Sequence, residues 1–280
     1  MNNPIVIHHS PCIDGTVAAW VAWNAFEGDG DYVPAKYGDA PPDVTGRHVL
    51  IVDFSYPRAT LLEMADKALS IRVFRSSQDN RGRSARLEIR NGLDFCTVDM
   101  NRSGAGLAWD LLNPGEPLPW LVDYVENRDL WKFTLPASKE VNAFIGLYAE
   151  STWDEWDELA AKPIAEVIAS GCAVQRKIEV YVDAMAKQAR TLRVAGHSVP
   201  VVNAPYINTS ELVGHLAEHA EFAVGWFQRQ DGAFAYSLRS RHGYDVSKLA
   251  QFFGGGGHRA AAGFSSPKIP DALFTGEEQP

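Results

Sequence analysis

Short runs of β-branched residues alternate with longer helical stretches through the first half of the chain. Ile5-Val6-Ile7 is the first run; it stops at His8-His9-Ser10-Pro11, and Asp14-Gly15 leads into the alanine- and tryptophan-rich stretch 16–26. Val49-Leu50-Ile51-Val52 is the second, closed by Asp53 and followed by helical spacing over 58–69. The third, 71–74, is closed by Arg75-Ser76-Ser77. Strand and helix periodicity in alternation predicts a mostly parallel sheet covered on both faces. Ligands of such sheets bind beyond the carboxyl ends of the strands, so the polar residues that close each run are the first candidates for chemistry.

Helical patterns follow at 104–112 and 120–129. The stretch 153–194, rich in Ala, Glu, Lys and Gln, reads as two helices broken near Pro163. β character restarts at Val199-Pro200-Val201-Val202, a short helix is expected at 211–220, and 222–227 and 234–239 look like paired strands. A helix over 246–253 runs into Gly254-Gly255-Gly256-Gly257-His258. The expected class is α/β: an N-terminal domain over 1–150 with a mostly parallel sheet flanked by helices, a helical connector over 151–194, and a smaller C-terminal α/β domain over 195–270. A Pro-rich, acidic tail over 271–280 is expected to be disordered.

The 280 residues favour two domains over one. With 46% apolar and 22% charged residues and no apolar run of membrane-spanning length, the chain has the composition of a soluble protein. The Met-Asn-Asn-Pro start has no basic region, and Cys12, Cys96 and Cys172 fit neither a disulfide framework nor a zinc ribbon. A cytoplasmic protein is expected. A net charge of −9 argues against bulk nonspecific nucleic-acid binding but leaves a local cleft open. Between Arg72 and Arg90 six arginines face only Asp79 and Glu88; this is either a solvated surface loop or a loop that meets an anion.

Four groups of residues can carry chemistry. His8, His9, Cys12 and Asp14 follow the first strand, and imidazole, thiol and carboxylate together suit a divalent metal; polar residues at a βα turn look the same. Asp53 closes the second strand as a ligand or as a turn residue. Asp129 ends a helical pattern in an aromatic setting, as a ligand or a surface group. The tetraglycine stretch lets backbone amides approach an anion, the alanines after it can open a helix whose N-terminus favours phosphate, and His258, Arg259, Arg239 and Arg241 add donors; a flexible hinge is the plainer reading.

Together these pieces resemble the DHH phosphoesterase superfamily with its C-terminal DHH-associated domain, from Ile5 to Phe264. The Gly-Gly-Gly-Gly-His segment with its Ala-Ala-Gly-Phe tail and the order of the N-terminal elements carry the resemblance. The stretches 37–42, 99–105 and 126–131 resemble one bacterial branch of DHH phosphohydrolases. The resemblance implies a divalent-metal centre, usually manganese, between two domains. It assigns His9 (His8 by an alternative spacing), Cys12 where many members have aspartate, Asp14, Asp53, and Asp129 (with Asn127 as the rival) as metal ligands. The family's Asp-His-His triplet is replaced by Arg75-Ser76-Ser77, a cation and two hydroxyls, which leaves donors for one Mn²⁺ rather than two, or for none.

The function expected from the resemblance is hydrolysis of a phosphodiester or phosphoanhydride of a nucleotide, a short oligonucleotide or a similar molecule in the interdomain cleft. Asp14, Asp53 and Arg75 take the catalytic roles, with Arg75 stabilising transition-state charge. Arg239, Gly254, Gly255, Gly256, Gly257, His258 and Arg259 bind the substrate. The alternative is a non-catalytic relative that binds nucleotide or single-stranded nucleic acid, some of the eight tryptophans stacking on bases. No membrane association is expected, and a homodimer is compatible with either reading.

Overall fold

The computed structural model describes residues 4–75, 88–89, 93–94, 96–99 and 101–268. Ser76 and Ser77, most of the arginine-rich stretch and the 271–280 tail lie outside the described residues. The chain divides into two compact units, the first ending at Cys172 and the second beginning at Ala173.

The first unit opens β1 (Pro4–His9), α1 (Ile13–Ala25), β2 (Asp31–Ala35), β3 (His48–Val52), α2 (Arg58–Lys67), β4 (Ser70–Arg75). After the short pieces β5 (Glu88–Ile89), β6 (Leu93–Asp94) and β7 (Cys96–Val98) come α3 (Gly104–Leu112), α4 (Trp120–Asp129), α5 (Ser138–Ile145) and α6 (Trp153–Ala160). Five strands form one parallel sheet in the order β2-β1-β3-β4-β7. Alternation along the strands separates two cores. Val6, Leu50, Val52 and Phe74 join α1, α3, α4, α5 and α6 on one face, whereas Ile5, Ile7, Val49, Ile51, Ile71 and Val73 join Leu61 and Met64 of α2 on the other. Helix α1 is buried from Val17 to Ala22, which explains its apolar composition on every side.

A 23-residue helix, α7 (Ile164–Ala186), spans the division between the units. The second unit continues with β8 (Arg190–Val194), β9 (His197–Asn203), α8 (Thr209–Leu216), β10 (Ala223–Gln228), β11 (Phe234–Arg239), α9 (Val246–Phe252), β12 (Gly256–Gly257) and β13 (Ala261–Ser266). Its six strands run β12-β13-β11-β10-β9-β8, with β9 and β10 parallel and the other pairs antiparallel. Phe222, Val224, Leu238, Val246 and Ala250 centre its core. No described helix is long and apolar enough to cross a membrane.

The α/β class and the parallel sheet match the sequence reading, and three details correct it. Residues 151–194 are not a separate connector: Trp156 and Leu159 of α6 are fully buried in the first unit's core, and 190–194 form β8, paired with β9. The alanines after the glycines open no helix, because Ala261 and Ala262 pair with Arg239 and Leu238 as strand β13. Strand β2 and helix α5 are additional; β2 is short, lies at the sheet edge and contains Pro34, a residue that edge strands tolerate.

Candidate metal centre

The strand order reverses at β1: the chain moves to β2 on one side and to β3 on the other. Open α/β sheets have their ligand crevice at such a switch point, beyond the carboxyl ends of the strands. His9 ends β1, Cys12 and Asp14 follow it, and Asp53 is the first residue after β3.

Three of these side chains meet. Donor atoms of His9, Cys12 and Asp53 all lie within 4.8 Å of one another, and His9 Nδ1 is 3.5 Å from Asp53 Oδ2. The His9 ring stacks on Phe54 at 6.2 Å and meets Tyr37 edge-on at 5.6 Å, which fixes its plane. Gly15 makes the approach possible, since a Cβ there would stand 2.2 Å from the His9 carbonyl oxygen. Asp53 has a left-handed backbone, φ 53°, and its amide donates to Phe74 O at 2.8 Å. Aspartate is one of the few residues that tolerate this conformation without being glycine.

Asp14 is nearly fully buried and accepts two backbone hydrogen bonds, from Gly104 N at 2.6 Å and from Ala105 N at 3.0 Å. The first amides of α3 are thereby satisfied in sequence. Ser103 N donates to Glu126 Oε2 at 2.9 Å, Gly104 and Ala105 donate to Asp14, and Gly106 donates to the Ser103 side chain at 3.1 Å. Glu126 also accepts from Arg102 Nε at 2.9 Å. Glycines are required on this turn: a Cβ on Gly104 would lie 2.3 Å from Asp53 Cβ, and one on Gly106 would lie 2.0 Å from Glu126 Oε2. Replacing Glu126 by alanine is expected to strand the buried Ser103 amide, Arg102 keeping its pair with Asp110, and to lower unfolding stability by about 1–3 kcal/mol in urea denaturation.

The electrostatics tie Asp14, Asp53 and Asp129 together. Burial, then the charges of Asp53 and Asp129, hold the Asp14 carboxyl well above the ordinary carboxylate range despite its two amide donors. Burial and the same carboxylates, Asp14 included, push the Cys12 thiol up. Asp129 ends α4 and acts on both groups. Its rival Asn127 is committed elsewhere: Asn127 Oδ1 accepts from Thr134 N at 3.1 Å and Ser138 Oγ at 2.9 Å, and Nδ2 donates to Thr134 Oγ1 at 2.8 Å. His8 is buried, its pKa lowered by burial to about 4, so it is neutral at pH 7 and lies edge-on to Trp153 at 6.2 Å. Arg75 ends β4 as a buried residue, one position beyond the Val52–Phe74 pair of the β3–β4 ladder.

A divalent cation fits this donor set. One imidazole, one thiol and one carboxylate converge, and neighbouring carboxylates accumulate negative charge whose mutual cost registers at Asp14. His9, Cys12 and Asp53 form the cluster; Asp14 and Asp129 flank it.

In the second unit the tetraglycine segment has a structural task. Gly254, φ 84°, ends α9, with Gly254 N donating to Gln251 O at 3.0 Å and Gly255 N to Ala250 O at 2.8 Å, the paired bonds of a Schellman cap. Those two amides therefore do not face an anion. A Cβ on Gly255 would stand 2.1 Å from Gly263 O. Gly256 and Gly257 pair with Gly263 and Ala262, and a hairpin closed by His258 N to Ala261 O at 2.8 Å carries His258 and the exposed Arg259 at its tip. Arg259 donates to Gly243 O at 2.9 Å. Arg239 donates to Ser210 Oγ at 2.6 Å and to Leu238 O at 2.9 Å. Arg241 follows β11 and is partly buried.

Sequence reasoning missed the α3 turn that holds Asp14 and Glu126. Its available signal was Ser103-Gly104-Ala105-Gly106, an N-cap residue followed by small residues at the start of a helix.

Comparison with known proteins agrees with this architecture. Residues 201–278 match the model of the DHHA1 domain. The chain is 25% identical over 301 aligned positions to the uncharacterized protein R106 of Acanthamoeba polyphaga mimivirus, covering 96% of this chain and 69% of the relative. A pGpG-specific phosphodiesterase, PggH from Vibrio cholerae, shares the fold with a TM-score of 0.51 at 13% identity, over 94% of this chain and 93% of that one. The structure of RecJ from Thermus thermophilus in complex with Mn²⁺ aligns with a TM-score of 0.48 at 17% identity, over 97% of this chain and 50% of that one.

Proposed function

For a chain with the fold of a DHH-superfamily phosphoesterase and a C-terminal DHHA1 domain, we propose hydrolysis of a phosphodiester or phosphoanhydride bond, centred on His9, Cys12 and Asp53. The observation that carries this reading is the convergence of those three donors, flanked by Asp14, at the switch point of the first sheet.

His9, Cys12 and Asp53 would hold one divalent cation; when bound, it supplies a Lewis acid and lowers the pKa of water at the site. The chain's own residues do the rest. Asp14 ties the first turn of α3 against the centre. Phe54 and Tyr37 keep the His9 imidazole in one plane. Arg75 is assigned the charge that accumulates on the phosphoryl oxygens in the transition state, a role that guanidinium geometry suits. In the second unit, the proposal gives His258, Arg259 and Arg239 the recognition of a phosphate remote from the bond that breaks, with Gly256 and Gly257 allowing close backbone approach. Nucleotides and short oligonucleotides carry such a second phosphate and are the substrate class proposed.

A second reading has one observation in its favour: a buried arginine ends β4, where the family resemblance expects metal ligands. On that reading the chain binds nucleotide or single-stranded nucleic acid without cutting it. Turnover of bis-p-nitrophenyl phosphate, with and without added Mn²⁺, Co²⁺ or Zn²⁺, separates the two. Hydrolysis that appears only with an added divalent ion is expected. Saturable binding of a labelled dinucleotide with no turnover under any divalent ion would favour the binder.

A further inference from the structure

We propose that the His9–Cys12–Asp53 centre is built for a borderline-soft divalent ion of the zinc or cobalt type rather than for manganese, with the Cys12 thiolate as a direct ligand. This rests on the reading that these residues hold a cation, and it assigns the ion's chemical class.

The argument begins with the donors. The three mutually close ligand atoms are one nitrogen, one sulfur and one oxygen. Manganese and magnesium prefer oxygen-rich, six-coordinate surroundings, whereas thiolate and imidazole select zinc-like ions. Among the described residues the cluster contains a single carboxylate, that of Asp53. Of the two flanking carboxylates, Asp14 already accepts backbone amides of α3 on both oxygens, at 2.6 and 3.0 Å, which weakens it as a donor; Asp129 flanks the cluster without joining its three mutually close donors.

The number of ligands points the same way. Three protein donors with the remaining position open is the arrangement of catalytic zinc sites. Sulfur–zinc bonds are about 2.3 Å and nitrogen–zinc bonds about 2.0–2.1 Å, so donors within 4.8 Å of one another can close around such an ion with small side-chain movements. Binding breaks the Cys12 S–H bond and forms a metal–sulfur bond, the proton passing to solvent. Cys12 stands at the N-cap position of α1 and is partly accessible, which leaves a route for both the ion and the proton.

The test uses the full chain stripped of metal and titrated with Co²⁺ under anaerobic conditions, followed by absorption spectroscopy. A near-ultraviolet sulfur-to-cobalt charge-transfer band that saturates at one equivalent is expected, and it should vanish in Cys12→Ser. Competition in metal buffers then compares Zn²⁺ with Mn²⁺. Cys12→Asp is expected to reduce the Zn²⁺-over-Mn²⁺ affinity ratio by at least about tenfold relative to wild type. One equivalent of Co²⁺ bound without the band, a band that survives in Cys12→Ser, or an unchanged ratio in a folded Cys12→Asp would overturn the proposal while leaving the metal centre in place. No bound ion in the wild-type protein would overturn the centre itself.

Discussion

Asp53→Asn should abolish metal-dependent phosphodiester turnover and at the same time stabilise the metal-stripped protein. Losing the one carboxylate of the donor cluster among the described residues removes several kcal/mol of Lewis-acid stabilisation, which corresponds to a fall in kcat/KM of about three orders of magnitude. Asparagine tolerates the left-handed backbone at this position as aspartate does, so the φ of 53° need not change. The stability gain follows from Asp14. Its carboxyl is raised above the ordinary value by burial and then by Asp53, so the folded state holds a proton that the unfolded state has already released. A raised carboxyl pKa means that this group's contribution to stability is most favourable below its unfolded-state value and declines as pH climbs from about 4 through the folded-state value. Removing the Asp53 charge lowers the Asp14 pKa and flattens that fall. Urea denaturation of both metal-stripped proteins across the acid-to-neutral range should show the difference opening toward neutral pH. Undiminished turnover in Asp53→Asn would place the chemistry elsewhere.

Gly104→Ala should be nearly as damaging, by a different route. Alanine is the better helix former by about 1 kcal/mol, so propensity alone predicts a gain. Sterics oppose it: the new Cβ would stand 2.3 Å from Asp53 Cβ and 2.9 Å from Asp14 Oδ2, with Asp53 held by its own backbone bond to Phe74. A net loss of about 2–3 kcal/mol is expected, in the range of overpacked cores, with a fall in Tm of about 4–12 °C. Metal affinity should fall with it, because both carboxylates are displaced. Gly146→Ala is the control, since nothing lies within 4 Å of its added Cβ, and it should change stability by no more than about 0.5 kcal/mol. Equal behaviour of the two variants would show that the α3 turn gives way freely.

Much of this was legible in the residues themselves. Runs such as Ile5-Val6-Ile7 and Val49-Leu50-Ile51-Val52 declare strands because both sheet faces are covered, and their closing polar residues mark the crevice. Asp14 and Asp53 were candidates from their positions after the strands, with turn residues as the equal alternative, and only the family resemblance put His9 ahead of His8. The α3 turn was harder to read, because backbone amides make its contacts and no side-chain pattern announces which carboxylate they will meet. The choice between Asn127 and Asp129 depended on a loop, 131–138, whose hydrogen bonds claim Asn127. The glycines near the C-terminus advertised anion binding, yet Gly254 and Gly255 serve helix termination and close strand approach, requirements that produce the same residues for a different reason.

The capping of α3 by Asp14 and Glu126 has a further consequence. Many α/β proteins hold a phosphate directly at an uncovered helix start, which needs no metal. Here that cradle is already filled from within by carboxylates. An incoming phosphate would therefore meet carboxyl groups at this helix start where it would otherwise meet amide donors, so on the proposed function the helix offers no metal-independent phosphate site, and a cation would have to be bound before the substrate's phosphate could settle there.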